Sequence, residues 1–207
     1  MSTLKALMLM TLALAGCASS YQVVEVPQRE ADLYPYSQTR NGLTVAVDEI
    51  ASSDRAARYF GANLVRMGVV PVVVVVSNNG VARIDLKPSD VLVRQGTEII
   101  DPLPLETVVA MVKSQHGHLL PSTQKEIAGY FDAVVFKNRV LTPAETYQGV
   151  LFFPIAPQQK NPDSLFSSMS LFHESGLQVV VGARDLDTGN RMRFGPFPLV
   201  IPQQAPE

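Results

Sequence analysis

The sequence is poor in the residues that carry most metal and acid-base chemistry. Among 207 residues there is one cysteine, Cys17, and there are three histidines, His116, His118 and His173. One cysteine allows no disulfide within the chain, so an exported thiol here needs another explanation. Charged residues make up 17% and the net charge is −2. That balance gives no clustered basic face, and nucleic acid is set aside as a partner. No serine sits in a Gly-x-Ser-x-Gly elbow, and phosphate loops and dinucleotide fingerprints are absent. The chain is therefore read as a non-enzyme, with no catalytic residue and no cofactor.

Two constellations remain to be weighed, and neither supports a metal site. His116-Gly-His118 brings two imidazoles together without a cysteine or placed carboxylate, which makes a poor zinc site. A helix end whose histidine suits the dipole is the alternative. His173 stands beside Glu174 with no further partner in sequence. Asp185-Leu-Asp-Thr-Gly-Asn190 spaces oxygen ligands in a way reminiscent of calcium loops, but Arg191 and Arg193 follow where a bidentate glutamate is needed. A hairpin turn with Gly189 at positive φ accounts for it better.

What is present begins at the N-terminus. Met1-Ser-Thr-Leu-Lys5 is a short basic start, Ala6 to Leu14 is apolar, and Leu14-Ala-Gly-Cys17 follows at once. The apolar run falls short of the roughly 20 residues that span a bilayer. Residues 1–16 read as a signal peptide, and Leu-Ala-Gly-Cys resembles the bacterial lipobox. The resemblance implies lipidation of Cys17, with palmitate-type chains anchoring the protein to a membrane. Ala18, rather than aspartate, follows the cysteine, and by resemblance to the lipoprotein sorting pattern this implies the outer membrane if the source is a diderm bacterium. The domain is expected to face the periplasm.

Residues 17–41 are polar and irregular and read as a lipidated tether, with Tyr34-Pro-Tyr36 docked on the domain or serving as a recognition motif. The domain is expected over residues 42–201, followed by a polar tail, 202–207. Gly68-Val-Val-Pro-Val-Val-Val-Val-Val-Ser-Asn-Asn-Gly80 organises it. Five consecutive valines without alternation predict a strand buried on both faces, ended by the Asn-Asn-Gly turn. Leu43–Ile50 predicts a half-buried strand, and Ser52-Ser-Asp54 caps a helical turn ending near Gly61. Short strands are expected at 82–86, 91–94 and 96–102, then at 146–153, 169–172, 177–181, 191–194 and 197–201. Between them, about 104–138, two helices are expected, Leu105–Gln115 and Ser122–Lys137. Their stripes read as core. Alternatively, laid across a sandwich edge, they would roof a pocket for a small apolar ligand lined by Val108, Val112, Phe131 and Val135.

This pattern predicts a mainly β chain, an antiparallel sandwich with an inserted helical pair. The strings Tyr59-Phe-Gly61, Gly68-Val-Val-Pro-Val72, Ser77-Asn-Asn79, Leu86-Lys-Pro-Ser-Asp90 and Gln148-Gly-Val-Leu-Phe-Phe153 resemble uncharacterised bacterial envelope lipoproteins with an immunoglobulin-like sandwich. The resemblance implies an immunoglobulin-like β-sandwich and carries no catalytic residues. The functional expectation is a membrane-anchored lipoprotein that binds or scaffolds another cell-envelope protein. The alternative is a carrier or sensor of a small apolar ligand.

Overall fold

A run of valines with no polar side requires apolar cover on both faces. The computed structural model describes residues 21, 23–116, 120–154 and 176–200. In chain order its elements are β1 (Ser37–Arg40), β2 (Leu43–Glu49), α1 (Ser53–Phe60), β3 (Val69–Asn78), β4 (Ile84–Leu86), β5 (Val91–Gln95), β6 (Glu98–Ile100), α2 (Leu105–Gln115), α3 (Pro121–Val134), β7 (Arg139–Leu141), β8 (Glu145–Pro154), β9 (Leu177–Asp185) and β10 (Arg191–Leu199). They form two antiparallel sheets, and the arrangement is that of a β-sandwich with helices outside. One sheet has the order β1-β2-β3-β8. In the other, β9 is central: β10 lies along one edge, and β5 and β4 share the opposite edge, backed by β6 and β7. The Pro88–Asp90 turn separates β4 from β5, so together they act as one interrupted strand beside β9.

All ten residues of β3 are buried, and the two faces of the strand serve different layers. Val70, Val72, Val74 and Val76 point between the sheets, against Val91, Val93, Val179, Val181 and Phe194. Val69, Val73 and Val75 point outward, into a second core built with Phe60, Val108, Val112, Ile127 and Phe131. The sandwich is therefore covered on one side by a layer of helices. Ring stacking knits that layer: Phe131 lies 5.8 Å from Phe60 and 5.6 Å from Phe152, centroid to centroid.

The helices pack as core, and they do so on a sheet face, whereas the pocket alternative laid them across a sandwich edge. They lie on the outer face of the first sheet because β3 and β8 offer a second apolar face there, Val73, Val75, Val150 and Phe152. The same cover explains β2, which is buried on both faces from Leu43 to Val47 rather than half-buried. The sheet also starts earlier than residue 42. Asn41-Gly42 turns a hairpin between β1 and β2, so Ser37–Arg40, read as tether, is an edge strand. Its polar sequence suits a strand with one edge unpaired by its sheet. Helix α3 ends at Val134, three residues short of Lys137, where Val135 turns extended and bridges to Val150. The expected strand 169–172 and the tail 202–207 lie outside the described residues.

Helix α1 forms where the sequence placed a capped turn. Ser52 Oγ accepts from the Arg55 N–H at 3.4 Å, and Gly61 closes the helix at φ 60°. The Arg55 guanidinium meets Asp48 at 2.6 Å and also donates to the Glu49 carbonyl at 3.1 Å, which ties α1 to β2. Among the described residues no helix is long and apolar enough to cross a membrane.

Candidate functional site

The last carbonyls of a helix have no partner within it and must be satisfied from outside. At the end of α1, four successive carbonyls are met by four groups from distant parts of the chain. The Val24 N–H donates to Arg58 O at 3.0 Å. Tyr130 Oη donates to Tyr59 O at 2.6 Å, and Tyr21 Oη donates to Phe60 O. His116 Nε2 lies 2.9 Å from Gly61 O, which assigns the ring proton to Nε2, since a carbonyl can only accept. The Tyr21 ring fills the centre of this clasp, 6.0 Å from the His116 ring and 6.1 Å from that of Tyr130, both edge-on. Gly61 leaves room for it: a Cβ there would collide with the Tyr21 ring. Burial raises the Tyr21 hydroxyl well above the ordinary tyrosine range and pushes Tyr130 up to about 12. Both are neutral donors across the physiological range.

From Tyr21 the N-terminal segment continues across the outer face of the first sheet as a strap. Gln148 Nε2 donates to Val26 O at 3.2 Å, and Gln28 Nε2 donates to Thr146 O at 3.1 Å. Tyr34 Oη donates back to Pro27 O at 3.1 Å. The far end is pinned by a relay: the Ala31 N–H donates to Ser77 Oγ at 2.9 Å, Ser77 Oγ and Thr146 Oγ1 are 3.0 Å apart, and Thr146 Oγ1 donates to Glu30 at 2.7 Å. Those hydroxyls hold the Glu30 carboxyl below its usual range. Ala31 itself is fully buried in the outer core. An open groove of about 630 Å³ remains between strap and helix, lined by Tyr21, Val23, Val24, Ala57 and Arg58.

The residues singled out from sequence fall elsewhere. Val108, Val112 and Phe131 are brought together, each fully buried, but as packing against Phe60, Phe152 and the outward valines. Val135 stands apart, beyond the end of α3, paired with Val150. His116 belongs to the clasp, while Cys17, His118, His173 and Glu174 lie outside the described residues. In the hairpin, Asp185 Oδ1 accepts from the Asp187 and Thr188 amides at 2.8 and 3.0 Å. Asp187 is spent on Arg83, whose guanidinium donates to it at 2.8 Å and whose backbone N–H donates at 2.9 Å. Gly189 has φ 77°, as the hairpin reading required.

Sequence reasoning missed Tyr21 and Tyr130. The available signal was a tyrosine in an otherwise polar stretch, but its acceptor is a backbone carbonyl and leaves no mark in sequence.

Comparison with known proteins adds no family. No family model matches the chain, and no curated protein matches it. Among solved structures, a proposed lipoprotein, ycdA of Bacillus subtilis, is 12% identical with a TM-score of 0.37 over 81% of this chain. The chain spans only 38% of the length of that protein. The yjhA protein of Bacillus subtilis is 10% identical with a TM-score of 0.37, over 70% of this chain and 94% of its own.

Proposed function

We propose that this chain is a bacterial lipoprotein, synthesised with a signal peptide and held by acyl chains on Cys17. In this reading its immunoglobulin-like sandwich faces the periplasm from the outer membrane and binds or scaffolds another envelope protein. It acts by recognition and not by catalysis. The observation that carries the reading is the sequence Leu14-Ala-Gly-Cys17, placed immediately before a segment bonded to the fold from Tyr21 onward. Ala18 at the sorting position supports the outer membrane. The packing of Val108, Val112 and Phe131 within the outer core supports recognition over the carrier alternative.

Metabolic labelling with an alkyne fatty acid tests the anchor. The wild type should incorporate label and sediment with membranes, while Cys17→Ser should do neither. A wild-type protein that stays unlabelled and in the soluble fraction would overturn the proposal. Crosslinking in native membranes, wild type against Cys17→Ser, then tests the partner. Recovery of one envelope protein only with the anchored form supports scaffolding, and co-purification of a small apolar molecule in its place removes it.

A further inference from the structure

The strap limits how far the domain can stand from its anchor. Tyr21 is fixed to Phe60, and only four peptide units separate it from Cys17. Fully extended, four residues span at most about 14 Å. We infer that the domain rests directly on the lipid headgroups, with the end formed by the C-termini of α1 and α2 turned toward them. This inference rests on lipidation of Cys17 and adds to it an orientation and a contact surface.

The surface at that end is compatible with a headgroup layer. Arg58 is exposed beside Tyr21, Ser114 is exposed in the last turn of α2, and Leu120 is 55% exposed at the start of α3. Arg58 and Lys113 stand in the last turns of α1 and α2, and Glu25 is exposed near Tyr130. Charges of both signs are present at this end, and the orientation is argued from the length of the leash. The opposite end is formed by the turns at Asn41-Gly42, Asn79–Ala82 and Leu186–Asn190, where Val81 is 93% exposed. The strand between the two ends, Val69–Asn78, spans about 30 Å. Those turns are thus presented to the periplasm, beyond a Debye length from the bilayer, about 8 Å at physiological salt.

The experiment uses the full lipidated chain, whose acylated Cys17 leaves an introduced thiol as the sole free one. Ser114→Cys and Val81→Cys are each labelled with a fluorophore. The proteins are reconstituted in phosphatidylethanolamine–phosphatidylglycerol vesicles containing headgroup spin-labelled lipid. Quenching should be several-fold stronger at Ser114→Cys than at Val81→Cys. The gap should collapse when a flexible Gly-Ser insertion of about ten residues is placed between Ser20 and Tyr21, which keeps both lipid and dock. Intact mass is read first. Acylated protein with equal quenching at both positions, or with a gap that survives the insertion, overturns the orientation alone. Absence of acyl mass overturns the lipoprotein reading and this inference with it.

Discussion

Replacing Tyr21 separates local undocking of the strap from unfolding of the sandwich. Tyr21→Phe removes one hydrogen bond, to Phe60 O, and should weaken docking by about 1 kcal/mol, roughly a fivefold change in the docking equilibrium. Tyr21→Ala also removes the ring. A tyrosine offers about 200 Å² of surface; Tyr21 is mostly covered, and the apolar share of what is covered is roughly half the total, so the apolar loss is about 2.5 kcal/mol at about 25 cal/mol per Å². The total, about 3.5 kcal/mol, corresponds to between two and three orders of magnitude. Native-state hydrogen exchange at Val24 reads this directly, because its amide is bonded to Arg58 O and is freed when the strap lifts. Exchange at Val24 should accelerate about fivefold in Tyr21→Phe and at least a hundredfold in Tyr21→Ala. Exchange in β3, central to both cores, should hold. Val24 exchange unchanged in Tyr21→Ala would refute the clasp. Equal acceleration in β3 would show that the strap is no separate unit.

Three further outcomes follow from the geometry. Gly149→Ala places a Cβ 2.5 Å from the Phe136 Cα, and backbone cannot yield cheaply; overpacking of about 1–3 kcal/mol should lower Tm by roughly 3–10 °C in a thermal melt. Tyr130, raised to about 12 from 10.0, contributes stability that is complete below pH 10 and is lost as pH rises toward 12, because the unfolded chain gives up its proton first. Chemical denaturation should therefore show a decline above pH 10 that is reduced in Tyr130→Phe; identical wild-type and variant profiles would contradict the buried donor. Millimolar calcium should leave the melting temperature unchanged, since Asp185 and Asp187 are already engaged by backbone amides and Arg83, and a calcium-dependent rise abolished by Asp187→Asn would restore the metal reading.

What the sequence made legible was whatever side chains encode. The valine run announced a doubly buried strand, and the Leu105–Gln115 helix emerged with the bounds that its spacing predicted. The identity of the cover was not legible. Val72 and Val73 are the same residue type, yet one faces a sheet and the other faces helices, and periodicity cannot distinguish two apolar surroundings. Leu43–Ile50 reads as half-buried in sequence because Thr44 and Ala46 look like a weaker face, although both lie under cover. The strap was illegible for a different reason. Its contacts at Val24, Val26 and Gln28 engage backbone atoms on at least one side, and such bonds place no demand on residue pattern.

Under the proposed acylation of Cys17, the same strap would set two properties of the molecule that are otherwise independent. While Tyr21 is docked, the reach from Cys17 is at most about 14 Å, and an acylated domain would keep one end toward the bilayer. If the clasp releases and the single bonds at Val26 and Gln28 follow, the next fixture is Ala31, which is buried and bonded to Ser77. The free segment then grows to fourteen residues by sequence count, and its maximum reach to about 49 Å. A pull applied N-terminal to Tyr21 loads the Tyr21 and Val24 bonds before any bond of the sandwich, because they come first along the chain. The strap can therefore yield in steps while both cores remain closed. For an acylated chain, orientation near the membrane and reach away from it would be two states of one segment, with the strength of the Tyr21–Phe60 contact setting the balance between them.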